Sequence, residues 1–131
     1  MKETFMNRLV ISLLLLVYFS VSAAGLPCSI RPAKDTPDSA LPDLAKVSQA
    51  DAQKAALARV KAPSIQVANG GLEIEQGCLV YSFNIRISGK SGIEEILVDA
   101  GTGKILSQTH ETPEQEVAEQ AKDKASSKYP Q

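Results

Sequence analysis

The sequence predicts an α+β domain: an N-terminal helix packed on a small antiparallel sheet, with a candidate second helix at the C-terminus. Three observations predict it. Ala52, Ala56 and Val60 recur every four residues behind Ser48, the spacing of one helix face. Leu79, Tyr81, Phe83, Ile85 and Ile87 alternate with more polar residues, the period of a strand with one buried face. Short glycine-bearing segments, Gln76-Gly77, Ser88–Gly92 and Gly101–Gly103, punctuate the second half as turns would.

The first residues read as an export signal. Lys2 and Arg8 give a basic start, Leu9–Phe19 carries no charge, and small residues follow from Ser20 to Gly25. The apolar run is shorter than the roughly 20 residues a spanning helix needs. Cleavage is expected after Ala23 or Ala24, leaving residues 1–24 as the signal peptide; an uncleaved anchor is the other reading. Pro27 stands where a bacterial lipidation site before Cys28 would want a small residue, which disfavours a lipid anchor.

Removing residues 1–24 takes two of the 14 basic residues and one of the 15 acidic ones, so the remainder carries a net charge of about −2. No basic surplus is left to neutralise phosphates, and nucleic-acid binding is disfavoured. The length suits one domain. Cys28 and Cys78 are an even count for an oxidising compartment, so they are a disulfide candidate, with two independent thiols as the alternative. Two distant cysteines and the lone His110 offer no close-spaced ligand set, so no metal or other cofactor is expected.

In order along the chain, residues 25–45 read as a linker. Pro27, Pro32, Pro37 and Pro42 interrupt helix, and Asp35, Thr36, Asp38 and Ser39 keep it wet, so mobility is expected unless Cys28 docks it. Ser48 followed by Asp51 resembles a capping box, and Pro63 stops the helix that Ser48 opens. Ile65–Val67 and Leu72–Ile74 read as two strands separated by a turn at Asn69-Gly70-Gly71. The long strand Leu79–Ile87 follows, with Val80, Ser82, Asn84 and Arg86 on its wetter face and Cys78 at its start. Ile93–Ala100 is the next strand, and Ile105-Leu106 begins a short last one. The tail 110–131 opens with Thr112-Pro113-Glu114-Gln115, an N-cap with proline at the first helical position. Its stripe of Val117, Ala121 and Ala125 is thin, so a frayed or docked helix to about Lys124 is expected.

Between the last two strands lies Asp99-Ala100-Gly101-Thr102-Gly103-Lys104. Gly101 and Gly103 permit positive φ, and Asp99 and Thr102 can bond nearby amides, so these residues read as a structural turn. An anion or metal site at Asp99 and Lys104 is the weaker reading.

Three stretches in order, Val47–Leu57, Leu79–Ile85 and Val98–Leu106, resemble the PepSY domain family. The turn motif Asp-Ala-x-Thr-Gly-Lys at Asp99–Lys104 is the most specific of the three. The resemblance covers about residues 44–109, and the domain is taken as 46–109. It implies the helix-on-sheet fold, a hallmark turn that is mainly structural, and no catalytic residues to carry over. Family members occur as inhibitory propeptide segments and as stand-alone exported proteins. The resemblance therefore implies a non-catalytic, exported module that binds and restrains an envelope partner such as a secreted peptidase. No peptidase domain accompanies it in this sequence, so the expected target is met in trans.

The residues agree on the absence of catalysis. No Cys/His pair has a plausible spacing, and no nucleophile elbow is present. Glu94-Glu95 would send one acid to each face of its strand, so the two would not converge on one substrate. An open sheet edge at Leu72–Ile74 or Ile105-Leu106 could accept a partner strand, and would also permit a weak dimer of an otherwise monomeric chain. Two further readings remain: a small-ligand or envelope-sensing module using Asn84 and Arg86, and a structural accessory that binds through the helix from Pro113. The expected location is the periplasm or the medium.

Overall fold

The computed structural model describes residues 25–127. The expected signal peptide, with its cleavage sites and alternative as an anchor, lies outside the described residues. So do the last four residues, 128–131.

Helix α1 (Leu41–Leu44) is a single turn, and α2 (Gln49–Arg59) is the main helix. Four strands follow in a meander: β1 (Ile65–Glu75), β2 (Cys78–Ile87), β3 (Ile93–Asp99) and β4 (Ile105–Glu111). Helix α3 (Pro113–Ser127) ends the described chain. The sheet order is β1-β2-β3-β4, with every neighbouring pair antiparallel. The α+β architecture, the helix on the antiparallel sheet and the C-terminal helix are those the sequence predicts.

Helix α2 starts where Ser48 caps it. The Ser48 hydroxyl accepts from the Asp51 amide at 3.1 Å and donates to the Asp51 carboxylate at 2.8 Å. This satisfies one of the donors a helix start leaves unpaired. Ala52 and Ala56 are fully buried, and their small side chains let the helix sit close over β2 and β3. Beneath it lie Leu79, Phe83, Ile85, Ile96 and Val98, all fully buried, with Tyr81 at 5 % exposure. Each such apolar side chain contributes roughly 1.5–3 kcal/mol on burial. The Tyr81 hydroxyl donates to the Val47 carbonyl at 2.7 Å, so this large ring enters the core without stranding its polar end.

Two differences from the sequence reading concern strand lengths. Asn69-Gly70-Gly71 is read as a turn, yet β1 runs straight through it with only a register irregularity between Val67 and Asn69. The reason lies on the neighbouring strand. Gly70 pairs with Phe83, and a Cβ at Gly70 would stand 2.3 Å from the Phe83 ring. The glycine makes room for an aromatic ring rather than for a reversal of the chain. The actual reversal is Gln76-Gly77, with φ of 49° and 77°, the positive pair of a two-residue hairpin. The last strand is also longer than Ile105-Leu106 suggests. It continues through Ser107-Gln108-Thr109 to Glu111, because Ile93–Leu97 of β3 offers unpaired backbone all along it.

Residues 25–45, which read as a wet linker, lie along the domain. Cys28 and Cys78 form a disulfide with Cα atoms 5.8 Å apart. Leu79 donates its amide to the Ile30 carbonyl at 3.0 Å, and Leu41 is 3 % exposed within the main core. Cys78, Val80 and Leu97 form a small second core on the opposite face of the sheet, covered by Leu26, Cys28 and Leu106. Cys78 is fully buried there, although its position in the sequence suggests the wetter side.

Candidate functional site

The sheet has two unlike faces. One is sealed by α2. On the other, beyond the small Cys78 cluster, polar residues of β1, β2 and β3 lie under α3 and form a groove of about 510 Å³. Strand alternation delivers them. Ser82 and Asn84 are among the residues of β2 that face away from α2, and the register sets Asn84 beside both Asn69 and Glu95. Gly71, Glu73 and Glu75 of β1 and Glu119 and Lys122 of α3 complete the lining.

Glu94 and Glu95 point to opposite faces. On the helix face, the Glu94 carboxylate accepts from Gln108 at 3.1 Å and lies 2.9 Å from His110 Nδ1. Burial works against its charge, but the bonds to Gln108 and His110 prevail and hold its pKa below the usual carboxylate value. Glu95 faces the groove. Burial raises its pKa to about 7, and the carboxylates of Glu111, Glu119, Glu75 and Glu73 add to the effect. The pKa of Glu111 is raised as well, by burial first and then by the neighbouring carboxylate of Glu119.

Of the wet-face pair singled out by sequence, Asn84 lines the groove and Arg86 does not. Asn84 Oδ1 is buried without a hydrogen-bond partner among the described residues. Arg86 reaches Glu116 of α3 at 2.7 Å. The sequence reading missed Glu95, Glu111 and Glu119 as one group. Glu119 lies on a helix whose docking no local pattern reveals, and Glu111 looks like a solvated residue of the tail.

The Asp99–Lys104 turn is a separate structure. Asp99 is 1 % exposed. Its carboxylate accepts from the amide and hydroxyl of Ser29, at 2.9 and 2.6 Å, and from the amide and hydroxyl of Thr102, at the same distances. Burial alone would raise its pKa; these four bonds outweigh that and lower it. The Ala100 carbonyl accepts from the Lys46 and Val47 amides, so the turn also anchors the lead into α2. With its oxygens so engaged, Asp99 has little capacity for an added ligand. Among the described residues, no group of three or more His, Cys, Asp and Glu side chains is arranged to hold a metal ion. Nor is any helix there long and apolar enough to cross a membrane.

Both edges of the sheet are strands with one neighbour each, β1 and β4. They contain the two segments, Leu72–Ile74 and Ile105-Leu106, that the sequence offers as open edges.

These features define a disulfide-clamped α+β domain with one helix-sealed sheet face, one grooved face and open strand edges. Residues 46–109 match the PepSY family model, described as peptidase propeptide and YPEB domain, so this stretch is a PepSY domain. No curated protein and no solved structure matches the chain.

Proposed function

We propose that this protein is an exported, non-catalytic binding module that restrains or regulates an envelope partner, with a secreted peptidase as the first candidate. The family match over residues 46–109 carries this reading, because the family description is that of a peptidase propeptide. The open edge of β1 supplies a physical means, since an extended segment of a partner can add to it as a further strand. The disulfide suits an oxidising compartment, periplasmic or extracellular, after cleavage near Ala23 or Ala24. The test is titration of the purified, oxidised protein into the peptidases of its own compartment. Saturable slowing of one of them is the expected result. Neither binding nor slowing of any would sink the proposal.

A second reading is favoured by the groove. The unpartnered Asn84 Oδ1 and the half-buried Glu95 could meet a small polar ligand. A thermal-shift panel including metals and cell-wall fragments tests it, because a ligand that binds only the folded state raises its stability. An unchanged midpoint across the panel counts against this second reading.

A further inference from the structure

Among the described residues, β1 pairs with β2 on one side and with no strand on the other. An edge strand leaves every second backbone N–H and C=O outside the ladder, and proteins blunt such edges with lysine, proline or a bulge. In the first half of β1 the register irregularity between Val67 and Asn69 does this. From Asn69 to Glu75 the pairing is regular, and the stretch holds neither lysine nor proline. Its outward backbone is a seat for one more strand.

The two sides of that seat differ. Residues directly opposite one another on neighbouring strands share a face. Leu72 and Ile74 lie opposite Tyr81 and Leu79 of the main core, so they stand on the α2 side. Ile74 is 38 % exposed there, and α1, which packs against β1, adds the exposed Leu44. Gly71 and Glu75 lie opposite Ser82 and Cys78, on the groove side. A Cβ at Gly71 would meet nothing within 4 Å, so the groove wall has a gap at the edge. Behind that gap are Glu95, Glu119 and Asn84, whose Oδ1 has no hydrogen-bond partner among the described residues; Lys122 is the cation of the lining. Burial and neighbouring carboxylates, Glu119 and Glu75 included, make a negative charge on Glu95 costly, and a cation entering the groove would relieve that cost.

We propose that the β1 edge from Asn69 to Glu75 takes an extended segment of a partner protein in which lysine or arginine alternates with apolar residues. The segment pairs with the β1 backbone. Its apolar side chains cover Leu72 and Ile74, and its basic side chains enter the groove past Gly71 toward Glu75 and Glu95. A second copy of β1 is a poor occupant, because Ile65–Glu75 carries glutamates and no basic residue. This inference deepens the proposed binding role and rests on its use of the β1 edge.

Synthetic peptides as long as Asn69–Glu75 test it, with valine at alternate positions and lysine, glutamine or glutamate between. Binding to the oxidised protein is read by fluorescence anisotropy, and the site by amide hydrogen exchange. The lysine peptide is expected to bind roughly tenfold tighter than the glutamine peptide, to weaken with salt, and to protect the β1 amides. The glutamate peptide is expected to bind weakest. In Glu75→Lys the preference for lysine over glutamate is expected to fall roughly tenfold. Equal binding of all the peptides at β1 overturns the charge selection while leaving the edge as a binding means. Absence of binding at β1 overturns both, and the peptidase titration then judges the restraining role separately. Protection of β1 that grows with protein concentration alone assigns the edge to a second copy and also overturns the proposal. So does an unchanged preference in a Glu75→Lys protein whose β2 amides show that it is folded.

Discussion

Ser29 donates both its amide and its hydroxyl to the Asp99 carboxylate, at 2.9 and 2.6 Å, across 70 residues of chain. The same carboxylate closes its own turn through Thr102. One buried charge thus sets the β3–β4 turn and fastens the N-terminal segment beside it.

Asp99→Asn is therefore expected to destabilise the domain by about 2–4 kcal/mol, because an amide cannot accept all four bonds and loses their charge assistance. Denaturant unfolding checks this. The pH dependence has a definite sign. The folded pKa of Asp99 is lowered, so its stabilisation is complete above the ordinary value of 3.8 and is lost as pH falls below it. The variant should lack that acid limb.

Reduction of Cys28–Cys78, or the double change to serine, frees a loop with a sequence separation of 50. The chain-entropy account puts the expected loss at about 4 kcal/mol at most. Thermal unfolding with and without reductant measures it. The amides near Ile30 should lose protection first, because the disulfide is that segment's covalent tie to β2.

Gly70→Ala and Gly71→Ala form a matched pair. The first places a Cβ 2.3 Å from the Phe83 ring; the second meets nothing within 4 Å. The expected cost is about 1–3 kcal/mol for Gly70 and near zero for Gly71. Equal effects of the two in chemical denaturation would contradict the ring-over-glycine account.

Glu95→Gln is expected to stabilise the protein above neutral pH. The folded pKa of Glu95 is raised from 4.5 to about 7, so its charge penalises folding increasingly across that window. Removing the charge should recover about 1–2 kcal/mol at pH 8, less than the full shift implies because the groove is open to solvent. Stability curves of the two proteins should converge below the window.

Deleting α3 from Pro113 onward separates the tail from the sheet. A cut at His110, where the sequence suggests the tail begins, would remove the end of β4 and the buried Glu111. The shorter deletion should leave the core intact, with near-unchanged unfolding, and expose the groove. Association with an envelope partner that survives this deletion would exclude α3 as the partner-binding element.

Local chemistry was enough for several elements. Ser48 caps α2, Pro63 follows its end, and the alternation from Leu79 to Ile87 marks β2, because each depends on neighbours within a few residues. Asn69-Gly70-Gly71 misleads because a glycine demanded by a distant ring looks the same as one demanded by a turn. Ser107–His110 hides a strand because an edge strand with a wet face needs no apolar alternation; backbone pairing with β3, with Gln108 and His110 reaching Glu94, holds it.

By itself the sequence determined the fold class, the main helix, the longest buried strand and the family turn, all written in short-range periodicity and capping. The tertiary structure alone decided which residues meet. It seated Ser29 on Asp99, laid Phe83 over Gly70, and brought the carboxylates of Glu95, Glu111 and Glu119 from three elements near one another. Those meetings depend on strand register and on where the last helix lies. Both are set by burial and backbone pairing over the whole domain, and no local stretch of residues encodes them.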